Sequence, residues 1–128
     1  MAAANVEVFK LSHEGVASLS ESTPIHRQDL ITSPQSWVGV AHTMPGLASA
    51  WHHHTDNDTY GYVISGQIRI DFGPGGKESV GINPGEVFHV PSEIIHREVT
   101  VGAEPGVIFL VRVGTGKPVV NVDGPERP

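Results

Sequence analysis

The sequence predicts a single all-β domain that folds as a small sandwich or barrel. Turn-forming residues recur along the 128-residue chain: 15 glycines and 10 prolines, often adjacent as in Asn83-Pro84-Gly85, separate short stretches rich in Val, Ile, Tyr and Phe. In the sequence, no segment of ten or more residues shows a convincing helical period. Short strands at near-regular spacing, with turn signals between them, are typical of antiparallel sandwiches and barrels.

The predicted strands follow one another through the middle of the chain. They comprise residues 37–43, 60–65, 67–72, 87–90 and 107–113. The tripeptide Ser65-Gly66-Gln67 predicts a tight turn, so the strands on either side of it should be antiparallel neighbours. We assign the whole chain, 1–128, to one domain, with the barrel at about 36–113.

The two ends of the chain are less clearly patterned. Residues 6–11 and 28–32 are apolar enough to form strands but have no obvious partner among the barrel strands. Residues 115–128 contain three prolines and Gly124, which predict an extended arm or a disordered tail.

Composition excludes several classes of function. The net charge of −6, from 8 basic and 14 acidic side chains, disfavours a nucleic-acid partner, because an acidic surface repels phosphate. No apolar run approaches the roughly 20 residues that a membrane helix needs, and the start of the chain lacks the pattern of a secretory signal, so we expect a cytoplasmic protein. With no cysteine, a metal site must use nitrogen or oxygen ligands.

The histidines are the main candidates for chemistry. Eight are present, and three of them are consecutive. Because alternate residues of a strand share a face, His52 and His54 point the same way while His53 points oppositely. Two imidazoles on one face form a chelating pair, and His96, which follows a further strand and turn, can return to the same region. The alternative is a pair of surface histidines on an exposed strand.

The spacing around these histidines resembles the two motifs of the cupin family. The first motif is matched by Gly46, His52, His54, Thr59 and Gly66, and the second by Gly85, Pro91, Glu93, His96 and Thr100. The resemblance implies a small antiparallel double-stranded β-helix with a metal ion inside the barrel, bound by His52, His54 and His96. It also implies a homodimer in which N-terminal strands are exchanged between subunits.

Three residues depart from the family pattern. Thr59 stands at the usual Glu ligand, Glu93 at the usual Gly, and Thr100 at the usual Asn. A hydroxyl is a poor ligand, so we expect three histidines without a directly bound carboxylate, or Asp58 as a fourth ligand if the strand carries a bulge. The expected cofactor is one divalent transition metal ion; we favour Fe(II), with Zn, Mn, Ni or Cu as alternatives.

Strand alternation also predicts the surroundings of the ion. If Thr59 faces inward, so do Gly61 and Val63, while Tyr60 and Tyr62 face outward toward another sheet or a second subunit. Gly61 either leaves open volume beside the metal or marks a close backbone approach.

Two further histidines are candidate catalytic bases. The resemblance implies that His89, two residues before Pro91, points into the barrel close to the metal. His42 shares a strand face with Val38, Val40 and Met44, and because that face is the more apolar one we expect it to be inward. For His89 the alternative is a buried, hydrogen-bonded histidine with a structural role.

We therefore expect a metal-dependent enzyme that acts on a small organic molecule, with a dioxygenase favoured because three imidazoles leave positions for O₂ and a bidentate substrate. One alternative is an isomerase, lyase or hydratase of a small carbonyl or sugar-like substrate, with His89 or His42 as the base. The other is a cupin that binds a small molecule without catalysis.

Overall fold

The structure, a computed structural model, describes residues 5–12 and 14–126. In this part of the chain ten strands form antiparallel sheets, and two short 3₁₀ helices span Glu14–Ser18 and Pro74–Gly76. The strands are β1 (Ile25–Ser33), β2 (Ser36–Thr43), β3 (His52–His53), β4 (Asp58–Ser65), β5 (Gln67–Phe72), β6 (Glu78–Ile82), β7 (Val87–Val90), β8 (Arg97–Val101), β9 (Gly106–Val113) and β10 (Val120–Asn121). Neither 3₁₀ helix is long and apolar enough to span a membrane, and no other helix is present among the described residues.

Two main sheets enclose the interior. One has five strands in the order β1-β2-β9-β4-β7, the other has three in the order β6-β5-β8, and β3 pairs with β10 in a third, two-stranded sheet. The five central strands predicted from the sequence correspond to β2, β4, β5, β7 and β9. The prediction of an all-β antiparallel barrel is confirmed.

Alternation along the strands places one apolar face of each sheet against the other. In β9 the residues alternate between buried and partly exposed from Gly106 to Arg112, the pattern of a strand with one face on the core. The core residues come from both sheets: Ala41, Val63, Ile68, Ile70, Ile82, Val90, Ile108 and Leu110. Burying a branched aliphatic side chain contributes about 1.5–3 kcal/mol, so this face fixes the register of every strand that supplies it.

The predicted turn at Gly66 joins β4 to β5. Gly66 has a φ of 78°, a left-handed value that favours glycine. A Cβ at this position would lie 2.6 Å from the carbonyl oxygen of Pro105, so both conformation and space require glycine here.

At the N-terminal end of the chain the structure differs from the expectation. Residues 28–32 lie within β1, which pairs with β2 of the same chain, so they do have a partner among the barrel strands. Residues 6–11 form no strand, and Val6 and Val8 are 97% and 92% exposed. The arm that follows β9 returns to the barrel, where β10 pairs with β3 next to the histidine run.

Candidate metal centre

Four side chains converge where β3 meets the start of β8. Their potential ligand atoms all lie within 4.8 Å of one another, and we call His52, His54, His96 and Glu98 the donor cluster. The backbones of His52 and His96 form reciprocal N–H···O hydrogen bonds of 2.9 Å, which joins the two sequence motifs directly. The three imidazoles are at most 2% exposed.

Backbone carbonyls fix the tautomer of each of these imidazoles. The Nδ1 atoms donate to Ala50 (2.7 Å), Pro118 (2.5 Å) and Ile94 (2.9 Å). Because a carbonyl can only accept, each Nδ1 carries the proton and each Nε2 presents a lone pair. All three Nε2 atoms are buried without a hydrogen-bond partner. Buried lone pairs held in this way fit a bound cation, and an N–H to carbonyl bond is the usual support of a metal-ligating histidine.

Glu98 is the fourth potential donor, a carboxylate that the expectation from the sequence did not include. Its two oxygens each lie 3.4 Å from an Nε2, one from that of His52 and one from that of His96. The hydroxyl of Ser49 donates to Oε2 at 3.0 Å and holds the carboxylate in place.

The protonation of His54 suits a ligand. Burial, followed by the nearby charge of Arg112, lowers the pKa of His54 from 6.5 to about 3. The imidazole is therefore neutral at pH 7, the form that binds metal ions. Imidazole nitrogens combined with one carboxylate suit divalent transition ions such as Fe(II), Mn(II) and Zn(II).

The spacing of His96 and Glu98 in the sequence could have identified Glu98 as a potential ligand. His96 and Glu98 are separated by one residue, as His52 and His54 are, so alternation along β8 places both on one side of the strand. Thr59, which occupies the family's usual Glu position, is buried but does not belong to the donor cluster.

Asp58, the predicted alternative ligand, lies elsewhere. Its carboxylate is 40% exposed and pairs at 2.8 Å with Nε2 of His89, which is itself 46% exposed. The ring of His89 stacks on Tyr60 with a centroid separation of 4.8 Å. The His89 side chain thus lies beside its outward-facing cross-strand partner Tyr60, while the neighbours Phe88 and Val90 face inward, and this differs from the predicted inward direction. His89 nevertheless lines the same apolar cavity as His96.

His42 is buried, but not on the predicted face. Ala41 belongs to the core, so the next residue along β2 points to the opposite side of the five-stranded sheet, where its cross-strand partners are His26 and Val107. The N-terminal segment crosses this outer side, since the side chain of Gln28 bonds to the backbone of Ser12. The face of β2 that carries His42 is therefore apolar because the N-terminal segment packs on it, not because it faces the barrel interior.

The other inward and outward predictions for β4 are confirmed. Thr59, Gly61 and Val63 are buried, whereas Tyr60 and Tyr62 are each 43% exposed. The space at Gly61 is taken by the ring of Phe88: a Cβ on Gly61 would lie 2.2 Å from its Cζ. The close-approach interpretation of Gly61 is therefore correct.

Two arginines reach the interior from the five-stranded sheet. Arg112 alternates with the core residue Leu110, is 3% exposed, and places its guanidinium 4.6 Å from the centre of the Trp37 ring. Burial, followed by the like charge of Arg27, lowers the pKa of Arg112 to about 10, so it stays charged at pH 7. Arg27 is opposite Ala41 in the sheet and faces the same side.

Three cavities adjoin the site. The inner pocket, about 10 Å³, is lined by Arg27, Arg112, Glu98, Phe88 and aliphatic side chains. The polar cavity, about 250 Å³, includes His52, Ser49, Asn121 and also Arg27. The apolar cavity, about 220 Å³, is lined by His96, His89, Phe88 and mostly hydrophobic neighbours. The site is thus approached from a polar side next to Arg27 and from an apolar side next to Phe88.

Comparison with known proteins agrees with this geometry. The family model described as Cupin domain matches residues 39–112. No curated protein matches the chain.

Solved structures with the same architecture include an uncharacterized Klebsiella pneumoniae protein with a double-stranded β-helix domain, at 21% identity and a TM-score of 0.70, covering 81% of this chain and 89% of that one. TT1209 of Thermus thermophilus matches at 20% identity with a TM-score of 0.62, and the match covers 77% of this chain and 93% of that one. A mutant of Bacillus subtilis oxalate decarboxylase matches at 22% identity with a TM-score of 0.64, and the match covers 77% of this chain but 27% of that one. At these identities the likeness shows a shared double-stranded β-helix.

Proposed function

Since this chain belongs to the cupin domain family, we propose that it is a metal-dependent enzyme that acts on a small organic molecule at the donor cluster. The observation that carries the proposal is the set of three buried Nε2 lone pairs that converge beside Glu98. Leaving so many buried polar atoms unpaired is costly, and a cation offsets that cost for all of them at once.

Within this class we propose an Fe(II)-dependent dioxygenase. A redox-active ion held by the donor cluster would supply electron transfer to O₂ and a Lewis acid for the substrate. The donor cluster would hold that ion through imidazoles of fixed tautomer. Its burial would exclude bulk water from the ion, and the small inner pocket would remain for reactants. The donor set of three imidazoles and one carboxylate, which suits Fe(II), is the observation that supports this choice.

The metal ligands are tested by single substitutions. We expect the wild type, purified without added metal, to contain about one transition ion per chain, and His52→Ala, His54→Ala and His96→Ala each to lose most of it. His53→Ala is the matched control: it lies in the same histidine run, but its Nδ1 accepts the backbone N–H of Thr55 at 3.1 Å. Elemental analysis gives the readout. Full metal content in His52→Ala would refute the assignment.

The reaction class is tested with the Fe(II)-loaded protein under air and under argon, on β-diketones, catechols and sugar acids. A dioxygenase consumes O₂ in proportion to substrate and is inactive under argon. Turnover that is equal under argon identifies an isomerase, lyase or hydratase instead. Tight binding with no product in either atmosphere identifies a binding protein without catalysis.

A further inference from the structure

We propose that Arg112 and Thr59 form an anion subsite beside the metal centre, and that it binds the carboxylate of a small organic acid. The inference rests on the proposed function, because it names the class of molecule that the site takes. Arg112 and Thr59 are cross-strand partners on β9 and β4, and both face the barrel interior.

Both side chains offer unused hydrogen-bonding groups. Arg112 and Thr59 are each 3% exposed, and Nε of the arginine and Oγ1 of the threonine lack partners. No ion pair of Arg112 is found among the described residues, where its guanidinium instead lies over Trp37. A buried arginine is normally paired, and its planar fork matches a carboxylate with two parallel hydrogen bonds.

The charge of the interior favours the same ligand. Glu98 is the only acidic residue among those that line the inner pocket in the described part of the chain, whereas Arg27 and Arg112 both line it. A divalent ion at the donor cluster adds two further positive charges. Glu98 and Asp29, the second carboxylate whose charge acts on Arg112, therefore do not neutralise the two arginines and the ion, and an anionic substrate offsets the excess.

The volumes of the two cavities next to Arg27 indicate the size of the ligand. The inner pocket has room for about one water-sized group, so only a small end of the substrate enters it. Arg27 and Ile25 line both this pocket and the polar cavity of about 250 Å³, which places the rest of the molecule on the polar side. A short-chain carboxylic acid that passes Arg27 would therefore place one carboxylate oxygen in the inner pocket beside Arg112.

Binding to the Zn(II)-loaded protein tests this inference without turnover. Malonate is the probe, malonamide its neutral analogue, and inorganic phosphate the competing anion. Calorimetry gives the affinity, and the fluorescence of Trp37 in a Trp51→Phe background reports contact at Arg112. We expect malonate to bind at least tenfold more tightly than malonamide or phosphate and to change the Trp37 emission.

Substitutions then locate the binding. Arg112→Met should weaken malonate ten- to hundredfold while zinc content and malonamide binding are unchanged, and Arg112→Lys should retain part of the affinity. Thr59→Val should weaken malonate up to about tenfold, and Thr59→Ser should restore it. Arg69→Gln, which removes an exposed guanidinium on β5, is the control and should have no effect.

The outcomes separate this inference from the proposed function. Normal zinc content with equal malonate affinity in wild type and Arg112→Met, or with no preference for malonate over malonamide, overturns the subsite alone. Tighter binding of phosphate overturns the assignment to carboxylates. If the wild type holds no metal but the metal-free protein binds malonate through Arg112, the subsite stands and the metal-dependent function fails. Should Arg112→Met not fold, Arg112→Lys and the two Thr59 variants decide.

Discussion

At the scale of single residues, the donor cluster is held in place by groups that do not belong to it. Three backbone carbonyls set the tautomers of the imidazoles, and the Ser49 hydroxyl bonds to the carboxylate of Glu98. The backbone of Ser49 also pairs with that of Glu98, through an N–H···O bond of 2.8 Å. Such supporting contacts orient the ligand before metal arrives and reduce the entropy lost on binding.

Ser49→Ala should therefore weaken metal binding although Ser49 is not a ligand. Removing a supporting hydrogen bond of this kind typically costs 10–100-fold in metal affinity. Competition with a metallochromic chelator measures the dissociation constant. Ser79→Ala, which removes an exposed hydroxyl on β6, is the matched control. Equal affinity in the two variants would show that Ser49 does not position Glu98.

Asp71 gives a prediction about pH. The guanidinium of Arg69 (2.8 Å), together with that of Arg97 (2.9 Å), holds the pKa of this buried carboxylate below its usual 3.8. Since the folded state binds the proton more weakly than the unfolded state, the stabilisation is present above pH 3.8 and is lost as the pH falls through the lower, folded-state pKa.

Asp71→Asn should accordingly reduce the free energy of unfolding by about 1–2 kcal/mol at pH 7, since both arginines are over a third exposed and their attraction is screened. Urea unfolding in excess chelator, which removes any contribution from metal, measures the difference. The difference between wild type and variant should shrink as the pH falls below 3.8. A gap that stays constant down to pH 2.5 would contradict the role of the charge.

At the scale of the elements, β4 and β7 show how one missing side chain shapes the pocket wall. Gly61 lies opposite Phe88 across the strand pair, and the ring of Phe88 occupies the space that a Cβ would fill. Phe88 in turn lines both the inner pocket and the apolar cavity. The glycine thus sets the position of the ring that separates these two spaces.

Gly61→Ala should destabilise the protein by about 1–3 kcal/mol, because the new methyl group overlaps the Phe88 ring in a packed interior. Gly81→Ala is the control, since nothing lies within 4 Å of a Cβ at that position. In the background of Phe88→Leu, the same Gly61→Ala change should cost less. Chemical unfolding of the four variants and the wild type gives the coupling, and equal losses at the two glycines would contradict the overlap.

At the scale of the whole molecule, the N-terminal segment is the part that the barrel leaves uncovered. Val6 and Val8 are almost fully exposed on a segment without helix or strand, and β1 and β7 form the edges of the five-stranded sheet. Exposed valines and open sheet edges both favour association with another chain. We therefore expect residues 6–11 to add to the sheet of a second copy in a twofold-symmetric homodimer.

Light scattering at micromolar concentration should thus give about twice the chain mass of 13.7 kDa. Removing residues 1–11 should produce a monomer that retains its metal, because the donor cluster lies within the remaining chain. Val6→Asp with Val8→Asp is the milder variant and should weaken the dimer without shortening the chain. A monomeric wild type would refute the exchange.

The sequence pattern determined the fold class, and the resemblance to the two cupin motifs grouped His52, His54 and His96, which the structure brings together. Turn residues at regular spacing require short strands, and the two-residue period of a strand places His52 and His54 on one face whatever the rest of the chain does. The same period applied to His96 and Glu98 would have given the fourth donor. Relative orientation within one strand is a local property, so it can be deduced from the sequence.

Which face of a strand points inward was decided only by the tertiary structure. On β2, apolar residues occupy both faces, because the core covers one and the N-terminal segment covers the other, so hydrophobicity could not orient His42. On β7, the pairing with β4 turned His89 outward beside Tyr60. The placement of Arg112 next to the donor cluster likewise depends on the register of β9 between β2 and β4. The register between strands that are distant in sequence is fixed by the packing of the whole core, so it cannot be deduced from any short segment of the sequence.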